Sequence, residues 1–185
     1  TIFVIDNDGN KSFGFQYGNH DFKGEKLPTG KEIQSNETFS KDGKKLVALY
    51  GEFKLDKLED GVAIFDLENK RFHFKPMDIF KELEEHITIL VIDDNEVSGT
   101  YIPIYLQLKG DSLIYSNSAK NEIYFLNLKT DSLTHKIYQS QYTSTEAQGK
   151  YPKRTESKEE YREIGKEKSK EVSYKSLFFD DQNNI

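Results

Sequence analysis

The chain holds 185 residues, which suits one domain, and its apolar share of 35% against 31% charged leaves a thin core for that length. A net charge of −6 argues against nucleic acid as a partner, since no local basic patch rescues it. With no Cys, disulfide scaffolds, thiolate metal sites and thiol nucleophiles are excluded within these residues, and no run nears the roughly 18 apolar residues of a membrane span.

The 13 Phe and 11 Tyr suit pleated, half-buried surfaces and lean the chain toward strands. The first unit, Phe3 to Phe15, is an apolar run, a polar turn at Asp6-Asn7-Asp8-Gly9-Asn10, and a second run. Asp-Gly there is hairpin chemistry. Next, Asp42-Gly43-Lys44-Lys45 turns into Leu46-Val47-Ala48-Leu49-Tyr50, apolar on both faces as a covered central strand must be. Val62 to Phe74 repeats the strand-turn-strand unit, and its second half, Phe72-His73-Phe74-Lys75, alternates like an outer strand with one face in water. Asp78 to His86 reads as a short helix after Pro76, with Ile79, Phe80 and Leu83 on one face. Lys109-Gly110-Asp111-Ser112-Leu113-Ile114-Tyr115 repeats the glycine turn and strand, and Glu122 to His135 gives the third unit.

Ser157 and Glu160 form a capping box that opens a helix to about Glu171. Its i, i+3 pairs Glu159–Arg162, Glu163–Lys166 and Glu167–Lys170, and its narrow apolar line of Tyr161 and Ile164, place it on the surface. Tyr174 to Phe179 begins another copy of the strand. Both ends read as cut in mid-element, so the chain is expected to belong to a longer protein.

The units are evenly spaced: Asp6 and Asp66 stand 60 residues apart, Leu67 and Leu128 stand 61 apart, and so do Phe72 and Leu133. Such a period marks an array, and propeller blades repeat about every 40 to 50 residues, the excess being insertions. The expected fold is all-β: a partial β-propeller of about two and a half blades of antiparallel strands with two helical insertions, residues 1–185 forming one domain.

The features Asn121-Glu122-Ile123-Tyr124, Leu126 to Thr134, Gly149-Lys150-Tyr151-Pro152-Lys153, the Ser157-Lys158-Glu159-Glu160 helix start and Phe178-Phe179-Asp180-Asp181-Gln182-Asn183 together resemble the domain-of-unknown-function family numbered 4221. Tyr101-Ile102-Pro103-Ile104-Tyr105 also fits, so the resemblance covers chiefly residues 101–185. It implies propeller-like proteins of Bacteroidetes with about six blades, exported to the periplasm or outer membrane and often held by a lipid anchor outside this stretch. It implies no reaction and transfers no catalytic residue.

Asp6-Asn7-Asp8-Gly9-Asn10 opens like a calcium loop but lacks the third ligand position, the glycine at loop position six and the distal Glu, so it reads as a hairpin turn. Asp93-Asp94-Asn95 and Asp180-Asp181 are paired carboxylates of the kind a glycosidase sets across a sugar, yet acidic residues are common in turns for local hydrogen-bonding reasons. His20, His73, His86 and His135 are scattered without zinc spacing and read as surface histidines, His73 and His135 near equivalent places on outer strands. Lys158, Arg162, Lys166 and Lys170 make a basic stripe that Glu159, Glu163, Glu167 and Glu171 neutralise. Tyr101, Tyr105, Tyr115, Tyr138, Tyr142 and Tyr151 could stack on sugars, but core packing is the stronger expectation for most of them. No cofactor, metal or catalytic residue is assigned. The expected function is a non-enzymatic protein- or glycan-binding or scaffold module acting through loops at one face. The alternative is a glycan-cleaving enzyme using loop carboxylates.

Overall fold

A computed structural model describes residues 2–5, 11–15, 22–34 and 36–175. The fold is mostly β, with a curled, half-barrel sheet. Strands β1 (Ile2–Ile5) and β2 (Lys11–Phe15) pair antiparallel, Ile2 opposite Phe15 and Val4 opposite Phe13, as the first hairpin unit predicts. Its turn at 6–10, His20 and the expected strand and carboxylates at 176–185 lie outside the described residues.

Three two-residue strands follow: β3 (Lys23–Gly24), β4 (Glu32–Ile33) and β5 (Thr38–Phe39). The chain then enters β6 (Lys45–Gly51), β7 (Gly61–Asp66) and β8 (Arg71–Pro76), an antiparallel meander. β4 and β5 cover the free edge of β6, and β3 runs parallel along β8. The double-sided apolar run in β6 is buried from Leu46 to Tyr50 and serves two cores at once. Its alternate residues Val47 and Leu49 enter the larger core with Val62 and Ile64 of β7, while Leu46 and Tyr50 enter a smaller one with Ala63 and Phe65. Phe72 and Phe74 of β8 close the smaller core, with Arg71, His73 and Lys75 alternating on the other face, as the sequence predicts.

The predicted short helix forms as α1 (Ile79–Glu82) and a 3-10 turn (Leu83–His86). Phe80 and Leu83 fill the larger core. β9 (Ile89–Ile92) and β10 (Asn95–Gly99) make a hairpin, and then β11 (Ile104–Lys109), β12 (Ser112–Asn117), β13 (Glu122–Asn127) and β14 (Leu133–Ile137) make a second, four-stranded antiparallel meander. Finally β15 (Arg154–Thr155) pairs in parallel with β9, and α2 (Lys158–Lys168) packs outside it.

The two meanders share one register. Lys45 opposes Asp66 and Leu46 opposes Phe65; Ser112 opposes Asn127 and Leu113 opposes Leu126. Phe65 opposes Phe72 as Leu126 opposes Leu133. Each has a glycine before its central strand with φ in the left-handed region, Gly43 at 69° and Gly110 at 58°, where a side chain would strain the turn. From Lys45 to its partner Asp66 the β6–β7 hairpin is six residues longer than the β12–β13 hairpin from Ser112 to Asn127, so the first two strands repeat at 67 residues and the last two at 61. The histidines obey this frame. The equivalent of His73 is Thr134, one residue before His135, so the two histidines stand on opposite faces of their strands.

The second helix ends about one turn sooner than its sequence suggests, at Lys168. Ser157 accepts from the Glu160 backbone N–H at 3.2 Å, as the capping box requires. The reciprocal arm is diverted: the Glu160 carboxylate accepts from the Thr155 hydroxyl, and Thr155 Oγ1 accepts from the Ser157 N–H at 3.2 Å. β15 is thereby tied to the helix start. Two of the three forecast pairs close, Glu163–Lys166 and Glu167–Lys170, each at 2.6 Å.

Candidate functional site

Ile164 is the buried side chain of α2, and Lys168 lies one turn beyond it on the same face. A long side chain there runs inward with its amine. Lys168 Nζ donates to the His86 carbonyl at 2.6 Å and to Thr100 Oγ1 at 3.1 Å, and stands 5.1 Å from the centre of the Tyr151 ring. Burial lowers its pKa to about 8, with Glu171 opposing the shift. Glu171 is held by the Tyr151 hydroxyl, and burial and that carboxylate push the phenol up to about 12.

These groups line a cavity of about 410 Å³ between α2, the end of the 3-10 turn and the chain at Thr100 to Pro103. Gly149 and Gly165 form part of its wall. A Cβ at Gly149 would collide with the Tyr151 ring and the Glu171 carboxylate. Gly165 differs: beyond its neighbours and the backbone of its own helix, no atom lies within 4 Å of the place a Cβ would take. A glycine inside a helix costs about 1 kcal/mol relative to alanine. No packing demand explains that cost here; Gly165 is exposed and lines the cavity.

Tyr101 lines this cavity and a smaller one of about 210 Å³, which continues past Thr100 to Phe53, Leu58 and Glu59. Tyr101 and Phe53 are exposed at 59% and 81%, which leaves their rings free to meet a ligand. The Tyr101 hydroxyl accepts from Asn36 Nδ2 at 3.0 Å. Burial raises the Glu59 pKa, and its Oε2 has no hydrogen-bond partner. His86 also faces the larger cavity. Burial lowers its pKa more than neighbouring Glu85 raises it, and its buried Nε2 makes no hydrogen bond.

Several expected residues lie elsewhere. Asp93 and Asp94 occupy the exposed turn between β9 and β10 with φ of 50° and 62°, and Asn95 Nδ2 donates to the Asp93 carbonyl at 2.7 Å. This is turn chemistry. His73 and His135 are exposed, as surface histidines should be, but His86 departs from that expectation with its side chain only 13% exposed. The stripe Lys158, Arg162, Lys166 and Lys170 stays in solvent. The core expectation for the tyrosines holds for Tyr115, which stacks on Tyr124 at 4.6 Å in the larger core. It fails for the others: Tyr105, Tyr138 and Tyr151 are half-buried, and Tyr101 and Tyr142 are exposed. Their partners explain this, since Tyr138 sits under Lys136 and Tyr151 under Lys168, cations that need an accessible ring face.

Lys168 and Gly165 carry the site and, like Glu59 of the adjoining smaller cavity, stand out weakly in the sequence. The available signal is helical spacing. Lys168 follows Tyr161 by seven residues and Ile164 by four, which sets it on the apolar face of the helix and apart from the basic stripe.

A third hollow, of about 470 Å³, runs along β13 and β14. Its cation Lys120 is already paired with Glu82 at 3.4 Å. Among the described residues no group of three or more His, Asp or Glu side chains converges as a metal site, and no helix is long and apolar enough to cross a membrane. No curated protein and no solved structure matches the chain significantly. A family model does match, across residues 1–185 and so well beyond the stretch that carries the sequence resemblance: the chain belongs to the family described as Domain of unknown function (DUF4221).

Proposed function

We propose that this chain is part of an exported β-propeller that binds glycans, and that the cavity beneath α2 is its ligand site. The propeller part is supported by how the two meanders share the larger core. The first contributes Val47, Leu49, Val62 and Ile64; the second contributes Leu113, Tyr115, Tyr124 and Leu126. In the shared register these are opposite faces of the repeat, for Leu113 corresponds to Leu46 and Leu126 to Phe65. Front-to-back packing of this kind repeats around an axis, as blades do, whereas a two-fold sandwich would join like faces. Export and a lipid anchor rest on the family resemblance alone.

The observation that carries the binding site is the pair of features at Gly165: a helix-interior glycine with nothing to pack against, on the wall of an open cavity. A volume of about 410 Å³ is in the range of small-molecule sites. Tyr101 on this cavity, and Phe53 on the adjoining smaller one, offer the flat apolar faces on which sugar rings stack. A concave site of this size favours a sugar unit over a protein surface, which needs a wider and flatter contact. The glycan-cleaving alternative gains no support from Asp93 and Asp94, which stand on an exposed turn away from the cavity.

The test is a panel of neutral and acidic oligosaccharides screened by saturation-transfer NMR against the wild type and Gly165→Leu. The leucine side chain would occupy the cavity. Binding by the wild type that disappears in the variant is expected. Equal binding by both proteins, or binding by neither, would contradict the assignment of the site.

A further inference from the structure

We infer that the sugar this cavity takes is acidic, and that its carboxylate pairs with the Lys168 ammonium. The inference rests on the cavity being the ligand site and adds the chemistry of the ligand. Lys168 Nζ has three N–H donors as an ammonium, and the two oxygens it reaches, the His86 carbonyl and Thr100 Oγ1, are both neutral. Among the described residues no carboxylate makes an ion pair with it. The remaining direction is toward the Tyr151 ring and the cavity. A half-buried cation is costly to hold unless an opposite charge answers it, and the protein supplies none in contact.

The charged and titratable groups around Nζ have been assigned other work or are neutral. Glu171 attracts Lys168 through space, but its carboxylate accepts from the Tyr151 hydroxyl and makes no ion pair with the amine. His86 is held toward its neutral form by burial, and Glu85 keeps its side chain largely in solvent at 64% exposure. The direction from Nζ toward the ligand space therefore suits an anion. A carboxylate there would form charge-assisted hydrogen bonds shorter and stronger than those to neutral oxygens. By contrast, Lys45, Lys75 and Lys120, whose side chains are less than a third exposed, each pair with a carboxylate, Asp111, Asp131 and Glu82 respectively.

The bound anion also fixes a pH signature. Lys168 with a pKa near 8 is charged at neutral pH and loses its proton as pH rises through that value. Affinity for an acidic sugar should fall from pH 7 to pH 9, while affinity for a neutral sugar should not change. Linkage makes the effect reciprocal, so the ligand raises the Lys168 pKa.

The experiment is an amide NMR titration of the wild type, Lys168→Gln, Lys168→Arg and Gly165→Leu with three probes: D-glucuronate, D-glucose and acetate. Glucuronate is expected to shift the resonances of Gly165 and Ser169 and to bind about tenfold more tightly than either glucose or acetate. Lys168→Gln should lose that preference, Lys168→Arg should keep most of it, and Gly165→Leu should bind none of the three. Equal binding of glucose and glucuronate, undisturbed by Lys168→Gln but abolished in Gly165→Leu, would overturn the acidic ligand and leave the cavity as a sugar site. Acetate binding as tightly as glucuronate would overturn the sugar and leave a plain anion site. Shifts that are the same in Gly165→Leu as in the wild type would overturn both the ligand and the site. A uniform loss of folded dispersion in Lys168→Gln would turn the decision over to Lys168→Arg and to the pH profile of the wild type, where a flat profile for glucuronate contradicts the inference.

Discussion

The β6–β7 pair and the α2 layer are held by different physics. Every residue from Leu46 to Tyr50 is buried, and Val62, Ala63 and Phe65 opposite them are fully enclosed. Here the stabilisation is hydrophobic, and two cores grip one strand from both sides. α2 buries one side chain, Ile164, and is otherwise fastened by polar contacts: the Ser157 cap, Tyr161 to Ser98 at 3.1 Å, and Lys168 to His86 and Thr100. A layer attached by few apolar contacts leaves room beneath it, and that room is the cavity. The lesson is that the rigid meanders supply the frame and the lightly packed layer supplies the site.

The sharpest way to break this contrast is in the frame. Leu49→Ala should cost about 3 to 4 kcal/mol, because a fully buried leucine facing the larger core leaves a void there. Urea denaturation measures it. Ile164→Ala should cost less, about 2 kcal/mol, since its site borders the surface and can collapse. Native-state hydrogen exchange should separate the two: Ile164→Ala speeds exchange in α2 and leaves β6 and β7 protected, whereas Leu49→Ala speeds both. If both variants loosened the whole molecule equally, the division into frame and layer would be wrong.

Smaller effects sharpen the account of the layer. Ser157→Ala removes the acceptor for the Glu160 N–H and should cost about 1 kcal/mol, again read by denaturation. The pH dependence of Lys168 has a definite sign. Its pKa is about 8 in the fold and about 10.4 in an unfolded chain, so between those values the unfolded state binds more protons. Stability should therefore rise with pH from about 8 to about 10, by something on the order of 1 kcal/mol once its partial exposure is allowed for. Lys168→Met should flatten this rise relative to the wild type in thermal melts at matched pH. Gly165→Ala, the mildest change, should stabilise by up to about 1 kcal/mol.

The frame was legible in the sequence because its signals are periodic. The double-sided run at Leu46 to Tyr50, the alternation at Phe72 to Lys75 and the glycine turns at Gly43 and Gly110 each specify one strand or turn locally. The spacing of Leu67 and Leu128 likewise anticipated a shared register. The short pairings of β3, β4, β5 and β15 were not legible, since two-residue strands have no period and depend on what lies beside them. The site was mostly hidden for a related reason. Lys168 looks like one more lysine in a charged helix, and only the meeting of α2 with His86 and Thr100, distant in sequence, buries its amine. Glu59 follows Leu58 in an ordinary acidic loop, and its burial arises from packing across the chain.

The measurement that tests the central claim most directly is the melting temperature of Gly165→Leu taken together with its ligand affinity. A binding site kept open at the expense of helix stability predicts a melting temperature equal to or above the wild type, with sugar binding abolished. A variant that melts lower, or one that melts higher and still binds, would contradict the claim that Gly165 is there to hold the cavity open.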